Sequence, residues 1–190
     1  LMIVKNNYFW TEKEKKESGE GSAGAVPAFL ANGDRAKVLR VSNYIELYGF
    51  RFATLLLQLP DYDDYEMQVT GMLDTLQSEA PALTHEQQEE LFRQVEEDYQ
   101  HFVPLKADRM KSIRQDAYFN ALQIKYAYAV TCHKAQGGQW AHVYVDQGYM
   151  TDDMLTPDYI HWLYTAFTRA TDKLFLVNWP KEQTCEPTDL

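Results

Sequence analysis

A polar, glycine-rich segment in the last third of the chain carries most of the side chains that could do chemistry. It reads AVTCHKAQGGQWAHVYVD, and its apolar, β-branched start ends at Thr131. The polar side chains and glycines that follow are His133, Lys134, Gln136, Gly137 and Gly138. Three kinds of site use such residues: a metal site, a nucleophilic site, or a cradle of backbone and side-chain groups for phosphates.

The spacing favours the phosphate cradle. Cys132 and His133 are adjacent, so their side chains diverge, and no second Cys/His pair lies nearby to complete a metal site. The same divergence argues against a Cys/His nucleophilic pair. Ligands collect at the carboxyl ends of parallel strands, and Thr131 is predicted to lie at such an end. Gly137 and Gly138 would let the backbone approach a phosphate closely.

A second segment, DYIHWLYTAFTRATDKLFLV, combines a helical pattern with an arginine. Helical spacing places four apolar residues on one face: Ile160, Leu163, Tyr164 and Phe167. Arg169 comes near the end of this helix, ahead of a strand. An arginine in that position is either a surface ion-pair partner or a group that reaches a phosphate on a neighbouring domain.

The elements that must position these residues form an α/β pattern. Alternating apolar residues predict a strand from Ile124 to Val130, and a second strand covers His142–Val145. A helix is predicted over Pro157–Ala170, with Thr156 as its N-cap and the proline at its first position. A last strand covers Lys173–Asn178. Strand, turn, strand, helix and strand are consistent with a layer of a parallel-sheet domain.

The middle of the chain has a different residue pattern. Short β-rich runs with tight turns predict a small antiparallel barrel or meander over residues 27–75. Thr84 opens a helix with a capping box, and a second helix is predicted from Ala107 toward Leu122. Residues 11–25 are charged and then rich in Gly and Ser, which predicts a mobile, solvated linker.

Length, composition and net charge limit the classes of protein to which the chain can belong. The chain has 190 residues, 45% hydrophobic, with a net charge of −10, which argues against a general nucleic-acid binder without excluding a local basic strip. Two cysteines give no disulfide framework, and we expect a reducing, cytoplasmic setting without a membrane partner. Because LMIVKN begins the chain as a strand, we expect it to be a piece of a longer protein.

The two chemical segments together resemble superfamily 1 helicases, and within them the RecD-like group that translocates from 5′ to 3′. TCHKAQGGQW is similar to the fifth helicase motif, and LYTAFTRATDKLFLV is similar to the sixth. NGDRAKVLRV resembles the start of the SH3-like module that these helicases insert into their second RecA-like domain, and IVKNNY resembles the strand before that insertion.

The resemblance implies a role for each matching residue. Arg169 would be the arginine finger that reaches the γ-phosphate of ATP. Gly138 and Gln139 would lie on the nucleotide side of the fifth motif, although an acid is frequent where this chain has Gln139. The residues implied at the single-stranded DNA path are Thr131, His133, Lys134 and Gln136.

The ATP-cradling half of such a motor is missing from this sequence. No G-x-x-x-x-G-K-[ST] motif occurs, so ATP and Mg²⁺ would be held mainly by an N-terminal RecA-like domain of the same protein. We therefore expect the fragment to be inactive alone. Two alternatives stay open: a non-catalytic module that binds protein or nucleic acid, and a helicase remnant that has lost its motor.

The resulting fold class is α/β: a partial RecA-like parallel sheet with an inserted SH3-like antiparallel β-barrel and a helix pair. Residues 1–26 would begin the second RecA-like domain and include the linker, and residues 27–75 would form the inserted module. Residues 76–122 would be a helical connection. Residues 123–190 would complete the RecA-like domain with both helicase motifs.

Overall fold

A computed structural model describes residues 1–18 and 26–184 of the chain. The chain divides into two compact units, Leu1–Tyr128 and Ala129–Leu190. The first unit contains a five-stranded sheet and four helices, and the second contains two strands and one α-helix within the described ranges. The architecture is therefore mixed α/β, as the sequence predicts.

The five-stranded sheet of the first unit is mixed. Its strands are β1 (Met2–Ile3), β2 (Lys37–Leu47), β3 (Phe50–Leu59), β4 (Tyr65–Met72) and β5 (Leu122–Lys125). They lie in the order β1-β5-β4-β3-β2. The pairs β2–β3, β3–β4 and β1–β5 are antiparallel, whereas β4 and β5 are parallel.

The prediction of a closed SH3-like barrel is not borne out in the described residues. The strands β2, β3 and β4 form an open antiparallel meander, and β4 then pairs with β5, so the sheet widens instead of closing. Tyr48 and Gly49, both with positive φ, form the two-residue turn of the first hairpin. Such a turn matches the twist of the two strands.

The core of the first unit follows the alternation of β3. Leu55, Leu57 and Leu59 are buried on one face, where they pack with residues such as Ile3 and Leu30. Phe52 belongs to a second cluster, in which apolar residues of two helices pack against the sheet; the helical members are Leu91, Val95 and Ile113. Burial of this apolar surface is the main term that stabilises the unit.

The helices of the first unit are α1 (Phe9–Ser18), α2 (Asp74–Gln77), α3 (His85–Gln100) and α4 (Lys106–Arg114). The capping box at the start of α3 is confirmed, since Thr84 and Gln87 bond each other's backbone N–H. Residues 11–18 are helical and not a linker, because their lysines and glutamates are good helix formers. Residues 19–25 of that stretch lie outside the described residues.

The second predicted helix ends earlier than its apolar stripe suggests. α4 stops at Arg114, and the carboxylate of Asp116 accepts hydrogen bonds from the N–H groups of Tyr118 (2.9 Å) and Phe119 (2.7 Å). An aspartate that binds nearby backbone N–H groups offers the chain an alternative to the helix. The segment up to β5 is accordingly a series of turns.

The second unit contains β6 (Trp140–Asp146), α5 (Pro157–Phe167) and β7 (Ala170–Val177). β6 and β7 pair in parallel, which agrees with the predicted α/β pattern. In the described residues there are also three short 3₁₀ helices, one in the first unit at Pro60–Tyr62 and two in the second at Asp152–Met154 and Lys181–Gln183. Across the described ranges, every helix is too short or too polar to cross a bilayer.

Thr75 offers a test of how β5 is held in the first unit. Its buried hydroxyl accepts a hydrogen bond from the Ile124 N–H (3.1 Å) and lies 2.9 Å from the carbonyl oxygens of Met72 and Ile124. We expect Thr75→Val to lower the free energy of unfolding by about 1–3 kcal/mol, because it leaves buried polar groups without partners.

Chemical denaturation of the chain measures this loss. Thr70→Val, at a half-exposed position of β4, is the matched control and should change stability by less than about 0.5 kcal/mol. Equal effects of the two substitutions would show that the Thr75 hydroxyl does not hold β5.

Candidate phosphate and nucleic-acid site

The segment Thr131–Gly138, here called the glycine turn, is not the end of a strand. β5 already ends at Lys125, in the first unit, and Tyr126–Val130 is irregular. The Thr131 carbonyl accepts hydrogen bonds from the N–H groups of Lys134 (2.9 Å) and Ala135 (3.1 Å). The prediction of a strand from Ile124 to Val130 is therefore wrong beyond Lys125, because this segment forms no ladder in the described residues.

Both glycines of the turn occupy positions that disfavour a side chain. Gly137 has a φ of +89°, a conformation that side chains rarely adopt. A Cβ on Gly138 would lie 2.4 Å from the Cη2 atom of Trp140, so the indole of Trp140 covers this position closely. The turn thus depends on glycine for backbone conformation at one position and for space at the next.

Arg169 connects the glycine turn to the end of α5. Its Nη1 donates a hydrogen bond to the Gly138 carbonyl (3.0 Å), and its Nε donates to the Thr165 carbonyl (2.9 Å). Its Nη2 donates to the hydroxyl of Thr168 (2.9 Å). In the opposite direction, the Trp140 N–H donates to the Arg169 carbonyl (2.9 Å). The two segments that resemble helicase motifs are therefore in direct contact.

The positive charge of Arg169 is not neutralised by a carboxylate in the described part of the chain. All three of its acceptors are neutral oxygens, and a guanidinium has five N–H groups. The other donors have no acceptor among the described residues, and the bonded ones fix the plane of the group. A half-buried, oriented cation of this kind suits a phosphate oxygen.

The side chains predicted to line the DNA path are exposed. Thr131, His133, Lys134 and Gln136 all lie on the surface of the glycine turn, and Gln139 is exposed just after it. His133 and Gln136 also line a cavity of about 590 Å³ that extends toward α5. A hydroxyl, an imidazole and an ammonium on one turn can hold backbone phosphates without reading base sequence.

Cys132 is not suited to nucleophilic chemistry. Its Sγ lies 3.5 Å from the Trp162 carbonyl, which accepts the thiol's weak hydrogen bond. Burial raises the pKa of the Cys132 thiol, and the positive charge of Arg169 opposes that shift. No cluster of three metal-ligating side chains was found among the described residues.

Sequence reasoning missed one buried polar residue beside this site. Gln147 lines the same cavity, is only 8% exposed, and follows β6 directly. Its Nε2 donates to the Tyr159 hydroxyl and to the Gln183 Oε1 (2.9 Å). A polar residue at the carboxyl end of a parallel strand is a recognised position for ligand contacts, and that signal could have found it.

Comparison with known protein families gives one match in this region. Residues 126–177 match the family model of the UvrD-like helicase C-terminal domain, a range that includes the glycine turn, α5 and Arg169. A search of curated proteins found no match to the chain. The family match covers less than half of the chain and supports a superfamily 1 helicase-type domain, a class that uses ATP and binds DNA.

The proximity of Arg169 and Cys132 predicts a shift in thiol titration. Replacing Arg169 with Ala removes the charge that lowers the pKa of the Cys132 thiol, so this pKa should rise further and less thiolate should exist at a given pH. In a Cys185→Ser background, the midpoint of the pH dependence of alkylation should therefore move to higher pH.

Lys173→Ala, which removes an exposed positive charge from β7, is the control and should leave the midpoint unchanged. A midpoint that stays in place in Arg169→Ala would show that Arg169 has no electrostatic effect on the Cys132 thiol.

Proposed function

We propose that this chain is the C-terminal portion of an ATP-dependent DNA helicase, supplying one wall of the ATP cleft and part of the single-stranded DNA path. The observation that carries the proposal is the guanidinium of Arg169, which is oriented by neutral acceptors and bonded to the glycine turn. The match to a helicase C-terminal domain over the same residues supports it.

In this proposal Arg169 is the arginine finger. ATP, when bound, supplies a γ-phosphoryl group on which negative charge develops during hydrolysis, and the free N–H donors of Arg169 stabilise that charge. Gly138 and Gln139 lie on the same side of the cleft. The remaining ATP contacts and the Mg²⁺ ligands come from a first RecA-like domain, so the chain alone hydrolyses no ATP.

The bond between Arg169 and Gly138 is the proposed link between nucleotide and DNA. Thr131, His133, Lys134 and Gln136 hold backbone phosphates of a single strand. A movement of the guanidinium toward the γ-phosphate changes its bond to the Gly138 carbonyl and thereby moves the turn. The glycine turn would then bind the single strand tightly and weakly in alternation as the ATP cleft closes and opens.

The helicase subgroup and the domain boundaries that we propose follow from the resemblance to RecD-like helicases. We propose a RecD-like helicase that moves from 5′ to 3′, with the second RecA-like domain assembled from residues 1–26 and 123–190. In this assignment residues 27–75 are the inserted module, which takes the form of an open meander in place of a barrel.

One observation favours a second candidate function, a non-catalytic module that binds a protein partner. The edge strand β2 exposes apolar side chains, among them Val41 (60% exposed) and Tyr44 (63% exposed). An exposed apolar edge can pair with an extended peptide. This candidate predicts no binding of single-stranded DNA even at low salt.

Arg169→Ala tests the arginine finger in the full-length protein. We expect ATP turnover to fall by roughly 10³- to 10⁵-fold, because the charge that forms during phosphoryl transfer loses its stabilising cation. Binding of single-stranded DNA should change little, as measured by fluorescence anisotropy.

Arg169→Lys is the matched control, because it keeps the positive charge but lacks the planar guanidinium. It should recover only part of the ATP turnover. Loss of DNA binding and of folding stability together in Arg169→Ala would instead assign Arg169 a structural role.

Salt titration tests the DNA path on the chain itself. We expect the affinity for single-stranded DNA to fall steeply with salt, with Lys134→Ala reducing the slope of log K against log salt by about 0.7. Lys173→Ala, another exposed lysine of the same unit, should leave the slope unchanged. Equal slopes for the wild type and Lys134→Ala would show that Lys134 does not contact a phosphate of the single strand.

A further inference from the structure

The turn between α3 and α4, residues 102–105 and here called the apolar tip, exposes neighbouring apolar side chains to solvent. Phe102 is 77% exposed and Leu105 is 66% exposed, and Pro104 between them is exposed as well. Contiguous apolar patches mark interaction sites more often than single exposed residues do. The apolar tip belongs to the first unit and lies outside the residues that match the helicase family model.

A largely buried arginine holds the apolar tip in a defined conformation. The side chain of Arg109 is only 13% exposed, and its Nη1 donates hydrogen bonds to the carbonyls of Val103 (3.3 Å) and Pro104 (3.4 Å). Its Nη2 lies 3.6 Å from the Oε1 atom of Glu96 on α3, so the guanidinium also connects the two helices. A surface fixed in this way loses little conformational freedom when it binds a partner, which favours association.

The residues around the apolar tip reverse the charge balance of the chain. The whole chain has 28 acidic and 18 basic residues, whereas residues 101–115 contain four basic residues and one acid, Asp108. Lys106, Lys111 and Arg114 are exposed on α4. Lys111 lies 3.4 Å from Asp108, and the other two form no ion pair within the described part of the chain. Because an exposed ion pair contributes little, all three cations can bind a partner.

This combination of features fits an acidic peptide that carries an apolar side chain. Carboxylates complement the cations of α4, and Phe102 and Leu105 are exposed anchors for an apolar group. A nucleic acid fits less well, since bases stack on aromatic faces and Phe102 is the only Phe, Tyr or Trp in residues 101–115. Leu105 and Arg114 are about 14 Å apart along a helix, a distance that about four extended residues span.

We propose that the apolar tip and the exposed side of α4 form a docking surface for a short acidic peptide of another protein. The apolar tip contacts an apolar side chain of the peptide, and Lys106, Lys111 and Arg114 bind its carboxylates. The inference goes beyond the proposed function and does not depend on it, because the surface lies in the first unit and involves neither ATP nor the glycine turn.

Selection from a library of short peptides of random sequence, displayed on phage, tests this inference on the chain itself. We expect the selected sequences to combine carboxylates with an aliphatic or aromatic side chain. Fluorescence anisotropy of a labelled synthetic copy then measures affinity. Phe102→Ser combined with Leu105→Ser should weaken binding by about tenfold or more, as truncation of interface anchors does. Both side chains are exposed, so the variant should fold normally.

Reversal of charge tests the electrostatic half of the proposed surface. Lys111→Glu combined with Arg114→Glu should lower the affinity for the selected peptide at low salt, and this loss should shrink as salt rises. A copy of the peptide with lysines in place of its carboxylates should bind this variant more tightly than it binds the wild type. Val41→Ser, at an exposed apolar position of β2, and Lys173→Glu in the second unit are the matched controls and should leave affinity unchanged.

Several results would overturn the inference. Selection that yields no peptide, or yields peptides without carboxylates, would exclude an acidic partner. Peptides that bind the Phe102→Ser, Leu105→Ser variant as tightly as the wild type would exclude the apolar tip. A loss of affinity for single-stranded DNA in the same variant, without loss of peptide binding, would assign the surface to nucleic acid. A dimer of the chain that dissociates in this variant would assign the surface to a second copy.

Discussion

The hydrogen bond from the Arg169 guanidinium to the Gly138 carbonyl joins two segments that lie 31 residues apart in the sequence. The Trp140 N–H returns a bond to the Arg169 carbonyl, so the contact is made in both directions. Because the acceptors of the guanidinium are neutral, they orient its plane without cancelling its charge. The same side chain is thus an internal connector and an oriented cation, and the account of function depends on that combination.

Two glycines set the shape of the glycine turn. Gly137 has a left-handed conformation, and Gly138 lies directly under the indole of Trp140. Exposed polar groups lie on the same turn, at Thr131, His133 and Lys134. In the proposed motor, a phosphate that attracts Arg169 competes with the Gly138 carbonyl, and the groups that hold the strand move with the turn.

Local patterns in the sequence predicted the second unit well and the first unit less well. The strands around Trp140–Asp146 and Ala170–Val177, the helix beginning at Pro157 and the capping box at Thr84 follow from short-range signals. The closed barrel was wrong because closure depends on which strand β4 pairs with, and its partner β5 is about fifty residues away in the chain. Gln147 directly follows β6, but its burial depends on packing that no local sequence pattern reveals.

Chemical rescue in the full-length protein tests the central claim most directly. Free guanidinium added to Arg169→Ala, at concentrations that leave the protein folded, can occupy the space of the missing group beside a bound nucleotide. The account predicts that ATP hydrolysis, nearly absent in Arg169→Ala, recovers in a saturable manner with added guanidinium, whereas wild-type turnover does not increase. Hydrolysis by Arg169→Ala at the wild-type rate without guanidinium would contradict it.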